Sequence, residues 1–204
     1  MLLPALNAAK KSAVSTQCIN NLKQVAYIVQ MYADDWSDAI PANQINPYNN
    51  AFVLYRTTGY VKKNDLFVCP GFTPNKYDND DGHIYGTHSH GFGNTKSFFR
   101  SFSYQASVLP PTSNGLLYAD TIAGQPASTQ MMNYFWQNTN STTAHSIHLR
   151  HARKANIQHI DGSVGTYGAQ DIAKRYRFFY NTVGPGANSG YSPNVRYYYQ
   201  IVTQ

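Results

Sequence analysis

The sequence predicts an α+β protein, with one long helix first and short strands in the second half. Three observations predict it. Cys18, Leu22, Val25, Val29, Tyr32 and Trp36 step by 4, 3, 4, 3 and 4 residues, which draws one apolar stripe along an α-helix. From Phe98 the period becomes two: Phe98, Arg100, Phe102 and Tyr104 share one face, and Phe99, Ser101, Ser103 and Gln105 share the other. Residues 155–160 and 163–167 flank Asp161-Gly162, a dipeptide that closes tight antiparallel hairpins.

Taken in order, the helix runs through residues 2–37, because the Ala-rich stretch from Ala5 to Val14 contains no breaker and Pro4 is tolerated in a first turn. A helix of that length reaches about 54 Å at 1.5 Å per residue, longer than a domain of this size, so part of it should project. Asp34, Asp35, Ser37, Asp38 and Pro41 end it. A polar loop follows to Asn50, then a short helix over 51–58 stopped by Gly59. Residues 66–71 form an apolar run closed by a Cys-Pro-Gly turn. Residues 72–95 read as one long irregular surface loop. After the Phe98 strand and Pro110-Pro111, residues 115–120 make a second strand, and 121–146 a polar excursion. A helix is expected over 169–180, and an edge strand near 196–202 in a Gly/Pro/Asn-rich tail.

The composition narrows the function. The chain has 204 residues, one domain's worth, and only 13% of them are charged. Its net charge is +6, and every acid is Asp. Without Glu there is no H-E-x-x-H zinc protease, no Glu pair of a glycosidase and no EF-hand closing residue. Seventeen tyrosines with abundant Asn, Ser and Thr resemble a secreted or cell-surface protein more than a cytosolic enzyme. No run of about 18 apolar residues is present. Cys18 and Cys69 permit one disulfide, with two buried thiols as the alternative. Cys18 on the helix stripe and Cys69 at the end of a buried run favour the bond, which would close a loop of about fifty residues worth about 4 kcal/mol.

No catalytic constellation stands out. There is no G-x-S-x-G elbow and no phosphate-binding glycine loop. His83, His88 and His90 sit in one loop and His145, His148, His151 and His159 later, but none has the partners a zinc site needs, and hydrogen-bonded histidines are the plainer reading. Asp78, Asp80 and Asp81 could form a loose calcium site. Registered on Gly82, however, they fail the EF-hand pattern, and a solvated acidic turn is the default. Arg150, Arg153, Lys154, Lys174, Arg175 and Arg177, with tyrosines near them, could hold a phosphate backbone, against a solubilising surface as the alternative. The tyrosines could equally stack on sugars.

Residues 2–10 (Leu-Leu-Pro-Ala-Leu-Asn-Ala-Ala-Lys), Cys18-Ile19-Asn20-Asn21-Leu22-Lys23-Gln24 and Met31-Tyr32-Ala33-Asp34-Asp35 together look like a known family. Phe67-Val68-Cys69-Pro70 and the spacing from His151 to Asp161-Gly162, a His, nine residues, then Asp-Gly, add to it. The chain resembles the type IV pilin-like pseudopilins related to type II secretion, in the branch carrying an H-x9-D-G motif. That resemblance implies a helix over 1–40 whose C-terminal half packs on an antiparallel sheet in a globular head over 41–204. It implies a structural subunit of a bacterial envelope secretion or surface-filament assembly, without catalysis or cofactor. Its partners would be other pilin-like subunits and secretion machinery, met through the N-terminal helix. The leader and apolar half-helix of the family would precede Met1 in a longer, membrane-anchored parent, leaving this chain alone soluble and at most weakly self-associating. A surface domain binding DNA or polysaccharide on the same scaffold is the alternative. His151, Asp161 and Gly162 are expected to be structural: the dipeptide makes the turn, and His151 ties the preceding loop to the sheet.

Overall fold

The computed structural model describes residues 2–37, 39–41, 50–88, 98–100, 116–122, 129–134, 146–172 and 174. Helix α1 spans Leu2–Asp35 and would measure about 51 Å. Residues 3–13 are exposed, whereas Cys18, Leu22, Val25, Val29 and Tyr32 are buried, and Ala26, Ile28 and Ala33 widen the buried face. Trp36 departs from the expected stripe. It lies just past the helix end, is 52% exposed, and stacks flat on Tyr32 at 5.6 Å. Ser37, at φ 52, turns the chain away from the helix.

Helix α2, Ala51–Thr57, is capped by Asn50, whose side-chain oxygen accepts from the Val53 N–H at 3.0 Å. A 3-10 turn, Asn64–Phe67, precedes the Cys69-Pro70 segment. Asn21 of α1 ties that turn down by donating to the Val68 carbonyl at 3.0 Å. Phe52, Tyr55, Phe67 and Tyr118 fill the space between the two helices and the sheet, with ring contacts of 4.8–6.4 Å.

The described residues include nine short strands: β1 Ala39–Pro41, β2 Gly86–His88, β3 Phe98–Arg100, β4 Leu116–Ala119, β5 Thr121–Ile122, β6 Asn133–Tyr134, β7 Ser146–Ile147, β8 Lys154–His159 and β9 Val164–Gly168. The main sheet has the order β6-β2-β4-β8-β9. It is antiparallel from β2 to β9, and β6 joins β2 in parallel. Helix α1 covers one face. The other buries a smaller cluster of Leu116, Ala119, Ile147, Leu149, Ala155, Ile157 and Ile172. Covering on both faces explains why all four residues of β4 are buried instead of alternating. A register shift between Leu116 and Tyr118 lets both Leu117 and Tyr118 point into the larger core.

The hairpin β8–β9 stands where the sequence predicts it. Gly162 has φ +81, Asp161 Oδ1 accepts from the Ser163 N–H at 2.9 Å, and the Gly162 N–H reaches the His159 carbonyl. Residues 72–95 are less irregular than expected, since β2 lies within them and pairs in the main sheet. The polar excursion over 121–146 likewise contributes β5, β6 and β7. The Phe98 strand is described only to Arg100, where it pairs with β1 in a separate two-stranded ribbon. Its expected continuation to Gln105 lies outside the described residues, as do most of the 169–180 helix and the whole tail. Residues 169–172 are helical.

Candidate functional site

Among the described residues, the densest group of chemically versatile side chains lies where four separate segments meet. Cys18 comes from the first buried turn of α1, Cys69 from the turn after the 3-10 segment, Asp120 from the link between β4 and β5, and His151 from the turn entering β8. All four are buried, and one donor atom from each falls within 4.8 Å of the others. Cys18 and Cys69 form a disulfide with Cα atoms 5.2 Å apart, as the stripe and the apolar run predict. His151 Nε2 stands 3.4 Å from Cys69 Sγ and 3.4 Å from Asp120 Oδ2.

The backbone works to hold this arrangement. Gln130, fully buried, accepts from the Cys69 N–H at 3.0 Å and donates to the carbonyls of Cys69 and Pro74 at 3.0 and 2.7 Å. It thereby pins the Cys69 turn against the sheet. Asp120 Oδ2 accepts from the Asn156 N–H at 2.7 Å. His151 and Lys154 exchange backbone hydrogen bonds across a turn whose central residues, Ala152 and Arg153, have φ 51 and 64. That left-handed pair reverses the chain tightly enough to send His151 inward and Lys154 into β8. Gly71 is required on the opposite side, because a Cβ there would meet Val14 at 2.7 Å and His151 at 3.4 Å.

Arg150 completes the charge. Its side chain is buried, with Nε 3.8 Å from Asp120 Oδ1. Another guanidinium nitrogen, Nη2, donates to the Thr121 carbonyl, and the group lies 4.4 Å over the Phe72 ring. Burial pushes this guanidinium down from its usual value, while Asp120 and Tyr85 oppose that. His148, beside Phe72, is held neutral: burial lowers it to about 4, helped by Arg150 and His151 and opposed by Asp120. Asp120 Oδ1, Arg150 Nε and Nη1, and His148 Nδ1 have no hydrogen-bond partner among the described residues. A cleft of about 890 Å³ opens between the exposed part of α1 and this site, lined by Lys10, Lys11, Val14, Gly71, Arg150 and His151.

The other sequence candidates separate from one another. Asp81 turns onto Arg56, which donates to both its oxygens at 2.6 and 2.9 Å, and Tyr77 donates to it at 2.6 Å. Asp78 and Asp80 cap local N–H groups and flank His83, at 2.9 and 3.6 Å. The three aspartates therefore do not converge on one point, and the turn they share is satisfied by its own partners. Burial raises the Asp78 carboxyl, but the hydrogen bonds from His83 and the Asp80 N–H outweigh it and hold it below the ordinary value. Asp161 and Gly162 serve the hairpin turn and do not reach His151's partners. Arg150 is withdrawn from the expected basic surface group by its burial against Asp120. His159 sits at the hairpin mouth, with Nδ1 3.0 Å from Ser163 Oγ. His90, His145, Arg175 and Arg177 lie outside the described residues.

The sequence paired Cys18 with Cys69 but did not join His151 to them, and Asp120, Arg150's partner, and Gln130 were not singled out at all. Only the Asp that ends an otherwise apolar strand, Leu116-Leu117-Tyr118-Ala119-Asp120, hinted at a buried carboxylate needing company. Among the described residues, no helix is long and apolar enough to cross a membrane. No family model matches the chain, and neither does a curated protein or a solved structure.

Proposed function

We propose that this chain is a structural subunit of the pilin-like, pseudopilin class, made for a bacterial envelope secretion or surface-filament assembly. The observation that carries the reading is the division of α1. From Cys18 onward its apolar stripe is occupied by the protein's own sheet, whereas, among the described residues, 3–13 are exposed, Leu3 75% and Leu6 66%. A helix that docks at one end and extends bare at the other suits packing beside equivalent helices of neighbouring subunits. The H-x9-D-G spacing and the Cys-Pro turn add support, because both belong to the scaffold that fixes the helix to the head.

The test is assembly in the producing cell. Leu3→Asp/Leu6→Asp should leave the melting of the isolated chain unchanged, yet remove it from the envelope complexes that carry the unaltered chain. Two leucines buried between helices contribute roughly 3–6 kcal/mol, enough to weaken assembly by more than a hundredfold. Unchanged recovery in those complexes would overturn the proposal. A second reading, binding of DNA or an acidic polysaccharide, draws on Lys10 and Lys11 along the 890 Å³ cleft. An affinity for DNA that falls steeply with salt and vanishes in Lys10→Ala/Lys11→Ala would favour it instead.

A further inference from the structure

The disulfide site also has the makings of a metal site. In a tetrahedral zinc centre, with Zn–S near 2.3 Å and Zn–N near 2.0–2.1 Å, neighbouring donor atoms stand about 3.3–3.8 Å apart. His151 Nε2 already meets that spacing twice, at 3.4 Å to Cys69 Sγ and 3.4 Å to Asp120 Oδ2. One and the same imidazole nitrogen faces both atoms, which a simple Cys–His–Asp relay would not do, since a relay uses the two ring nitrogens separately. Asp120 is fully buried, and its Oδ2 accepts one hydrogen bond, from the Asn156 N–H, which leaves that oxygen a lone pair for an ion. A bonded pair of sulfurs, about 2.05 Å apart, is too close for two corners of a tetrahedron. Once reduced they need separate by less than 2 Å, about the reach of a side-chain rotation.

We propose that the reduced chain binds one zinc ion between the thiolates of Cys18 and Cys69, the Asp120 carboxylate and His151 Nε2, the same site that the disulfide closes in the oxidised chain. A small dithiol supplies the step. It passes two electrons and two protons to the Cys18–Cys69 bond and leaves as its own disulfide. Zinc then displaces both thiol protons to solvent. Charge favours both states. The oxidised site pairs Asp120 with the Arg150 guanidinium 3.8 Å away. The loaded site carries two thiolates, one carboxylate and a dication, a net single negative charge that the same guanidinium neutralises. Sulfur and imidazole donors select zinc over calcium or magnesium. The cleft whose floor includes His151 gives the ion its way in. Metal and disulfide would then act as interchangeable clamps between α1 and the sheet, one for reducing and one for oxidising surroundings.

The experiment uses the full chain, reduced by a dithiol, desalted without oxygen and titrated with Co2+ and then Zn2+. The expected result is one equivalent of cobalt with a thiolate charge-transfer band and tetrahedral visible bands, displaced by zinc, and no such bands in the oxidised chain. D120N, which keeps side-chain size, and H151N, which removes the imidazole, should each weaken binding at least about tenfold, the least that even outer partners of a metal ligand are worth. Absent bands, equal bands in the oxidised chain, or undiminished affinity in both variants would each overturn the proposal. Circular dichroism of the same samples covers loss of fold: a reduced chain that refolds on adding zinc supports the site, and one that zinc leaves unfolded refutes it. In the unaltered chain, one equivalent of zinc should slow re-formation of the disulfide in air, because bound thiolates are withdrawn from oxidation, and an unchanged rate refutes the site without recourse to any variant.

Discussion

Among the described residues, two groupings of aspartate and histidine are built in opposite ways. Asp78, Asp80 and His83 share one exposed turn, in which every carboxylate is satisfied by a neighbour within five residues. Asp120 and His151 lie buried, and their partners arrive from distant segments: Cys18 and Cys69 from the helical half, Arg150 and Asn156 from either side of the β8 entry. The exposed group can be lost without stranding anything, because water replaces each contact. The buried group cannot, and some of its polar atoms have no hydrogen-bond partner among the described residues even when it is intact. A local acidic motif thus announces itself in sequence while carrying little, and the consequential site is the one assembled by tertiary structure.

The sharpest way to break this comparison is to remove the carboxylate from each group. Asp120→Ala leaves the Arg150 guanidinium buried without its counter-charge, and such losses cost about 3–5 kcal/mol. Asp78→Ala removes a pair with side chains 25% and 39% exposed and should cost less than about 1 kcal/mol. Urea unfolding of the two variants checks both values, and equal losses would dissolve the distinction. Next in size is the disulfide. Its cysteines are 51 positions apart, so Cys18→Ser/Cys69→Ser in metal-free buffer should lower stability by about 4 kcal/mol, chiefly by freeing the unfolded chain. No disulfide bears on the exposed turn, and the Arg56–Asp81 fork should persist in the fraction that remains folded.

This contrast also separates what could be read in the sequence from what could not. The helix, its buried stripe, the 51–57 helix, the disulfide pairing and the Asp-Gly hairpin were legible, because each depends on period, capping or turn chemistry within a few residues. Strand β2 was not. Gly86-Thr87-His88 has no period-two pattern, and it is a strand only because Tyr118 and Ala119 of β4 and Asn133 of β6 flank it in the sheet. Trp36 fits the helical stripe by spacing but falls past the last helical residue, so periodicity overshot by one step. Asp120 was invisible as a site residue for the same reason as β2: its partners lie 30 to 102 positions away in the chain, and no local rule brings them together.

A third, smaller effect follows from His148. Burial lowers its imidazole to about 4, from an ordinary 6.5 in the unfolded chain. Between those values the unfolded chain therefore binds the extra proton and the folded chain does not. The stabilising contribution is complete above pH 6.5 and is lost as pH falls toward 4, by roughly 3 kcal/mol at most. His148→Gln should flatten the stability profile over that window. A slope that survives unchanged in His148→Gln would place the acid-sensitive group elsewhere in the molecule.

The smallest predicted effect concerns how each region makes its turn. The acidic turn places Asn79 at φ 69, and asparagine is among the few side chains that tolerate the left-handed region. The turn that aims His151 inward uses Ala152 and Arg153 at φ 51 and 64, residues that pay for that conformation, about 1 kcal/mol or more each. The strain persists because the His151–Lys154 backbone pair and the start of β8 over-determine the turn. Arg153 is exposed, so Arg153→Gly relieves strain without removing a buried side chain. Against that relief stands the greater freedom glycine gives the unfolded chain, about 0.5–1 kcal/mol. The net expectation is a gain of about 0.5 kcal/mol for Arg153→Gly and no gain, or a slight loss, for Asn79→Gly. Thermal melting of both variants at pH 7 measures the difference. A stabilised Asn79→Gly beside an unchanged Arg153→Gly would mean that the strain sits in the exposed turn, and that His151 is held in place by its partners alone.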